Sequence, residues 1–484
     1  AKIGKADIIV YISWISVSTK ERTVPMPLRA RLYRFWMKRR PKNLSATKVI
    51  ALAFGLIILL GALLLNLPAA SRNGVSVGFL PALFTATSAT CVTGLSLFDT
   101  WSQWSGFGQI VLLCLIQIGG LGFMSAATLV VFLLRRKIGL KQRLVMAQAL
   151  SVGDINGIVR LQRMVLFGSF SVEGIGAVIL FLRFLPEYGV ARALKWGVFH
   201  AVSAFCNAGF DIFGCLNPGV SLLEFQSDPV VLLTLSALII VGGLGFLVWE
   251  EILKKKRFRD FSVYTKLVLV TTLGLILAAW GLTCLIEWDN PGTLGDLSLG
   301  DKLLNGFFQA VTLRTAGFAS FDQALLTEGG KAIAVFFMLI GGSSGSTAGG
   351  LKTVTFVVLA LFLAARARGN SRVCVFHRSI PQGQVLDAMT LGFLMVSLAF
   401  LGGVFLSVTS PVSFTDALYE TASALGTVGL TAGATGRLCQ ASQILIIIFM
   451  YFGRVGLLTI SMGFLAGNKA EERFHYAETN LLIG

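Results

Sequence analysis

Four stretches of this chain are variants of one another: FTATSATCVTGLSLF (84–98), FHAVSAFCNAGFDIF (199–213), FQAVTLRTAGFASF (308–321) and YETASALGTVGLTAG (419–433). Aligned on Gly94, Gly209, Gly317 and Gly429, they recur about every 110 residues, which marks a repeated structural unit. Each is polar and glycine-centred, and each stands between apolar runs. Those runs cover 48–67, 107–134, 164–185, 229–249, 266–286, 332–363, 387–408 and 441–465. Most are long enough to cross a bilayer, which takes about 20 residues of helix. Eight alternating spans are therefore expected, two in each of four units. Hydrophobic residues make up 55% of the 484 and charged residues 13%, against about 25% charged in soluble domains. The fold class expected is an all-α membrane protein: four tandem span–pore helix–span repeats in pseudo-fourfold symmetry around one central pore.

A second marker keeps the same register. Glycine clusters GGLG at 119, GGLG at 242, GGSSG at 341 and GRVG at 453 follow the four aligned glycines inside the second span of each unit. The expected organisation is a basic tail (1–45), repeats at 46–143, 144–259, 260–370 and 371–468, and a C-terminal tail (469–484). The 12-residue stretch DIIVYISWISVS (7–18) is too short to span and has no small-residue cleavage site. It reads as an interfacial amphipathic segment.

The formal net charge of +17 is a topology signal. Lys and Arg concentrate in RARLYRFWMKRRPK (29–42), RRKIGLKQR (135–143), KKKRFRD (254–260), ARARGNSR (365–372) and the C-terminus. With alternating spans, all of these fall on one side, which the positive-inside rule makes cytoplasmic, with both termini there. The charge therefore meets lipid and cytoplasm, and no nucleic-acid site is read from it. The cysteines at 91, 114, 206, 215, 284, 374 and 439 form no CxxC pair, so neither a disulfide framework nor a metal centre is indicated.

Non-helical backbone at membrane depth is tolerated only where protein buries it or where it lines a watery path. Four such turns around one axis make a pore. Glycine permits positive φ, so carbonyls can turn toward the axis and replace the hydration shell of a monovalent cation. The short helices before the turns would aim their partially negative ends at the path. The expected filter is Cys91, Val92, Thr93 and Gly94; Cys206, Asn207, Ala208 and Gly209; Arg314, Thr315, Ala316 and Gly317; and Gly426, Thr427, Val428 and Gly429. No ring of acids occupies these positions, which argues against a divalent filter. The alternative is that the glycines serve close helix packing, a reading that four turns in register disfavour.

Several segments are similar to those of one transporter superfamily: ATSATCVTGL, LIQIGGLGF, FHAVSAFCNAGF, FQAVTLRTAGF, GGSSGSTAGGLKT, GTVGLT and GRVGLLT. Over about residues 46–468 the chain resembles the Trk/Ktr/HKT potassium transporters, and most closely the Ktr ion-translocating membrane subunits. The resemblance implies potassium uptake, with K+ at the Gly94, Gly209, Gly317 and Gly429 backbone, in a bacterial plasma or inner membrane. It also implies a homodimer and a cytoplasmic RCK-type ring that binds the regulatory nucleotide, ATP or ADP, on the partner. Na+ dependence, and channel against symport mechanism, it leaves open. In plant relatives a serine in place of the first filter glycine goes with sodium transport; here that residue is Gly94.

Ten small residues interrupt the third inner span: Gly341, Gly342, Ser343, Ser344, Gly345, Ser346, Thr347, Ala348, Gly349 and Gly350. Each helical glycine costs up to about 1 kcal/mol against alanine, so a break is expected, and the resemblance makes it a gate. Ion preference, set higher up at the four glycines, is expected to be independent of it. Arg454, inside the fourth inner span, reads either as an electrostatic barrier or as an anchor on loop carbonyls. A cation about 8 Å away at an effective dielectric near 20 would feel about 2 kcal/mol of repulsion. Lys352 opens a half-helix where the dipole disfavours a cation, so it is expected to bind loop carbonyls. Glu173 reads as a paired structural acid or an ion site, and Asp211 as a mouth charge or a lone surface acid. His200, His377 and His475 form no cluster, and nothing suggests an enzyme. A sodium-coupled secondary transporter is the rival reading, without an inverted repeat to support it.

If the basic loops form the docking face for a soluble ring, neutralising RRKIGLKQR and KKKRFRD together abolishes co-purification of that partner. Retention of the partner on affinity resin would remove these loops from the docking face.

Overall fold

Helix lengths sort the apolar runs into two kinds. In a computed structural model describing residues 46–122, 125, 128, 157–217, 219, 221–370 and 372–456, four helices are long and apolar enough to cross a membrane without interruption. These are α1 (Ala46–Leu65), α4 (Ile158–Phe205), α7 (Val263–Glu287) and α11 (Gln382–Thr409). They carry a large share of the exposed bulky apolar residues, among them Leu56, Phe167, Leu273 and Phe393. In water such a surface would aggregate; against lipid it is the expected outer face. The segments 7–18, 29–42 and 135–143, the 143/144 boundary and the C-terminal tail lie outside the described residues.

Short helices fill the interior. Those that precede the glycine-centred turns are α2 (Phe79–Cys91), the last part of α4 beyond a kink at Gly189, α8 (Leu299–Thr312) and α12 (Phe414–Gly426). Those that follow the turns are α3 (Gly106–Leu121), α5 (Pro229–Leu244) with α6 (Phe246–Lys255), α9 (Glu328–Leu339) with α10 (Thr353–Ala367), and α13 (Gln440–Val455). Orphan N–H groups at helix starts are costly in lipid, and the sequence supplies caps. Ser105, Asp228, Ser262, Ser298, Thr327 and Ser413 each accept from a backbone N–H of the first turn of α3, α5, α7, α8, α9 and α12. A two-stranded hairpin, Cys374–Val375 with Arg378–Ser379, connects α10 to α11.

The run at 332–363 is divided by the loop at 341–350, as its small residues led one to expect, but the run at 229–249 is not the single span expected: it is two helices meeting at 93° on either side of Gly245. Helices α3 and α13 likewise stop at Gly122 and Gly456, with φ of 82° and 94°. All four inner helices therefore end or bend at their glycine clusters.

Packing links consecutive units and then closes. Helix α3 packs on α4, α5 on α8, α9 on α12, and α13 returns to α2. The ion pair Lys331–Asp416 (2.8 Å) bridges α9 and α12, and Tyr451 Oη donates to the Ala51 carbonyl of α1 (2.7 Å). The leading glycines of three clusters explain how close these approaches are. A Cβ added to Gly119, Gly242 or Gly453 would collide with the carbonyl of Thr90, Phe205 or Leu425, in the last turn of the short helix just ahead of it. Gly242→Ala therefore forces α5 away from α4; a loss of about 1–3 kcal/mol is expected, read as a lower unfolding temperature of the purified protein in detergent.

Candidate functional site

Each short helix ends three to five residues before its aligned glycine, and the four turns that follow share one backbone pattern. The residue two before the glycine is left-handed in every case: Val92 (φ 58°), Asn207 (58°), Thr315 (68°) and Thr427 (52°). Gly94 (95°), Gly209 (67°), Gly317 (85°) and Gly429 (96°) are positive as well, whereas the residue between is not. Three of the left-handed residues are β-branched, a conformation that costs about 1–2 kcal/mol each. Strain of that size persists only where the surroundings impose it, and it clusters at working sites.

The surroundings are visible. Ser88 accepts the Thr93 N–H at its carbonyl (2.8 Å) and the Gly94 N–H at its hydroxyl (3.0 Å). Ser423 does the same for Val428 (2.8 Å) and Gly429 (3.0 Å). In the other two turns Ser203 and Thr312 accept the Ala208 (2.7 Å) and Ala316 (3.0 Å) N–H groups and donate their hydroxyls to the Phe210 and Phe318 carbonyls. His200 adds to the second turn, accepting at Nε2 from the Ile212 N–H (3.3 Å) with Nδ1 on the Trp196 carbonyl (2.8 Å). In every turn the residue just before the glycine thus has its N–H bonded from behind, and in the first and fourth turns the glycine N–H as well. Among the described residues no hydrogen bond is made to the Thr93, Ala208, Ala316 or Val428 carbonyl. These four serine and threonine residues were not singled out from the sequence, although a hydroxyl recurs five or six places before each aligned glycine.

The free carbonyls meet in order. A Cβ added to Gly94 would lie 2.7 Å from the Ala208 oxygen, to Gly209 2.7 Å from the Ala316 oxygen, and to Gly317 2.5 Å from the Val428 oxygen; on Gly429 it would strike the Thr93 oxygen. First turn meets second, second third, third fourth, and fourth first. Outside this ring lies a cavity of about 480 Å³ lined by all four glycines together with Asp99, Asp211 and Asp322. Backbone N–H groups of Ser102, Gly219, Phe213 and Ala324 fix the three carboxylates. Asp211 is therefore one of three acids on a shared cavity, where fields of one sign add and concentrate cations.

The remaining expected filter residues lie at the edges of the ring. Cys91 and Gly426 are the last residues of α2 and α12, and Cys206 caps α4. The buried Arg314 side chain runs to the base of the 341–350 loop, where Nη2 meets Thr353 Oγ1 (3.1 Å) and the Gly341 carbonyl (3.4 Å). Glu173 pairs with Gln117 Nε2 (2.9 Å), with Cys206 Sγ beyond (3.9 Å), so it sits behind the second turn.

The loop has a pinned neck and an engaged tip. At the neck Ile340 and Leu351 form a parallel bridge, and the Gly341 N–H donates to the Leu351 carbonyl (2.8 Å). At the tip Ser343 donates to the Gly243 carbonyl through N–H and hydroxyl (3.1 Å each), the Phe246 N–H reaches the Gly345 carbonyl (2.9 Å), and Tyr264 Oη the Ser344 carbonyl (3.0 Å). Ser346 bonds back to the Ser343 carbonyl (2.7 Å), and Lys352 Nζ to the Ala348 carbonyl (2.8 Å). Arg454 donates to the carbonyls of Thr347, Gly119 and Gly120. A Cβ on Gly349 would strike the Thr427 side chain, and one on Gly350 would lie 3.0 Å from the Gly426 oxygen. The loop is thus in direct contact with the start of the fourth turn.

The profile of a family described as TrkH, cation transport protein, matches residues 36–472. The chain is 42% identical over 439 residues to Ktr system potassium uptake protein B of Bacillus subtilis, covering 91% of this chain and 96% of that one. It is 41% identical over 452 residues to potassium/sodium uptake protein NtpJ of Enterococcus hirae, covering 92% and 99%. In fold it is similar to the crystal structure of the potassium transporter TrkH from Vibrio parahaemolyticus, at a TM-score of 0.68 and 17% identity over 88% of this chain and 86% of that one.

Ser88→Ala leaves the part-buried Gly94 N–H without its acceptor, a cost of about 1 kcal/mol. A lower unfolding temperature is expected, measured by thermal unfolding of the purified protein in detergent.

Proposed function

Because the chain belongs to the TrkH family of cation transport proteins, we propose that it is the ion-conducting membrane subunit of a Ktr-type potassium uptake system. The observation that carries this reading is the ring of four strained turns with N–H groups bonded from behind and carbonyls left free. A dehydrated monovalent cation needs such oxygens in place of its water. In this reading the four repeats are pseudo-fourfold about the ring, Gly94, Gly209, Gly317 and Gly429 carry the potassium sites, and the three-acid cavity is the outer mouth.

The loop at 341–350 is the gate, and Arg454 serves it twice. Its hydrogen bonds hold the loop seated, and because its partners are carbonyls, which solvate a charge without neutralising it, the guanidinium also opposes a cation in the path. Lys352 secures the loop from within. A relative named as a protein of a Ktr system fits a chain that works with a partner; we infer that the partner is a cytoplasmic nucleotide-binding ring and that this chain meets it as a homodimer. A relative named as a potassium/sodium uptake protein keeps sodium in view as a second transported or coupling ion.

The test is uptake in cells without potassium uptake systems of their own, with a Ktr-type ring co-expressed and sodium present or absent. Growth at low potassium should be restored. Gly94→Ser should lower potassium over sodium preference by roughly an order of magnitude, about 1.4 kcal/mol, because its Cβ would press on the Ala208 carbonyl at a φ of 95°. Failure of the unmodified chain to take up potassium, or an unchanged preference in a well-expressed variant, would overturn the assignment.

A further inference from the structure

Thr347 is fully buried in the loop, and its three polar groups go to three different elements. Its N–H donates to the Gly242 carbonyl of α5 (3.3 Å), its carbonyl accepts from Arg454 of α13, and its one hydroxyl proton is shared between the Phe205 carbonyl at the end of α4 (3.1 Å) and Asn207 Oδ1 in the second turn (3.3 Å). Asn207 passes the contact on. Its Nδ2 faces Thr315 Oγ1 (3.4 Å) and the Arg314 carbonyl (3.5 Å) of the third turn. Asn207 occupies the left-handed position taken by Val92, Thr315 and Thr427 in the other turns. Of these four side chains, its carboxamide accepts on one side and donates on the other, so a single residue joins the loop to two adjacent turns.

Lifting the loop breaks the Thr347 hydroxyl contact and leaves Asn207 Oδ1, in a buried site, without that donor. The amide is then held on its Nδ2 side alone, so the contact it makes between the second and third turns is less firmly placed. Gly349, seated against Thr427, relates the same movement to the fourth turn. The neck stays where Arg314 and the Ile340–Leu351 bridge hold it, so the tip is the part that moves relative to the turns.

We propose that Thr347 and Asn207 are positioning residues through which the loop sets ion preference: seated, it holds the second and third turns in the potassium-selecting geometry; lifted, it relaxes them. The proposal rests on the reading of these turns as a potassium filter. Linkage makes the effect reciprocal: an ion that favours the tight turns favours the seated loop by the same factor.

The experiment compares potassium uptake, and its inhibition by sodium, in the full chain and in Thr347→Val, Thr347→Ser, Asn207→Val and the Thr347→Val/Asn207→Val double variant. Valine is close to threonine in shape and keeps the Thr347 backbone bonds, and Val92 already adopts the Asn207 conformation in the first turn. For the loss of one hydrogen bond, potassium preference should fall about 3- to 10-fold in Thr347→Val, with Thr347→Ser restoring it. Asn207→Val should show the same loss, and the double variant no more than either single one. Faster uptake with unchanged preference in Thr347→Val would overturn the proposal, as would losses that multiply in the double variant. Should Asn207→Val fail to fold, the Thr347 Val and Ser pair decides the matter. An unmodified chain without potassium preference would overturn the filter reading instead, which separates the two failures.

Discussion

A bilayer core offers no water to an irregular backbone, and that constraint organises this protein. Each glycine-centred turn must find partners for its N–H groups inside the protein, and the residue just before each aligned glycine finds one in the serine or threonine of the helix that precedes it. Directing these donors backward leaves the carbonyls facing forward. The alternation of left-handed and ordinary backbone follows from that demand, and so does the strain at Val92, Thr315 and Thr427. A cation is the natural partner for oxygens left in this state, since it interacts favourably with several at once and each carbonyl brings no charge of its own.

The glycine clusters answer to two demands at once, so packing and pore formation are not competing explanations for them. The leading glycine of three clusters lets the inner helix touch the carbonyl at the end of a short helix. The final glycine, Gly122, Gly245 or Gly456, adopts a positive φ and ends the helix there. Close approach and termination are both backbone events at one depth, just inside the ring. The loop at 341–350 is a longer solution to the same termination, and its added length gives it polar groups enough to reach α5, α7 and the second turn.

Arg454 and Arg314 show how a buried cation is accommodated here without a carboxylate among its hydrogen-bond partners. Arg454 is solvated by three carbonyls from two elements, which fastens the first inner helix to the loop. Arg314 braces the loop's neck from the third turn. Removing Arg454 leaves the Thr347 carbonyl without a donor, whereas the Gly341 carbonyl keeps Thr353 Oγ1 (2.9 Å) when Arg314 is removed, so the Arg454 charge has a structural part as well.

The repeat, the position of each turn, the apolar helices and the break at 341–350 were legible in the sequence, because each depends on local composition and on spacing. Lys352 on a loop carbonyl was legible for a similar reason: a cation at a helix start has few nearby acceptors other than the preceding backbone. The hydroxyls of Ser88, Ser203, Thr312 and Ser423 were present in the aligned motifs, yet serine and threonine are common enough in such segments that position by itself did not mark them. The 93° bend at Gly245, the path of the Arg314 side chain and the Thr347–Asn207 contact were not legible. Each depends on contacts between separate elements, 140 residues apart along the chain in the case of Thr347 and Asn207. A sequence specifies which backbone segments cannot remain helical; which segment then supplies the missing partner is decided only when four units close on one another and bring their free groups within hydrogen-bond range.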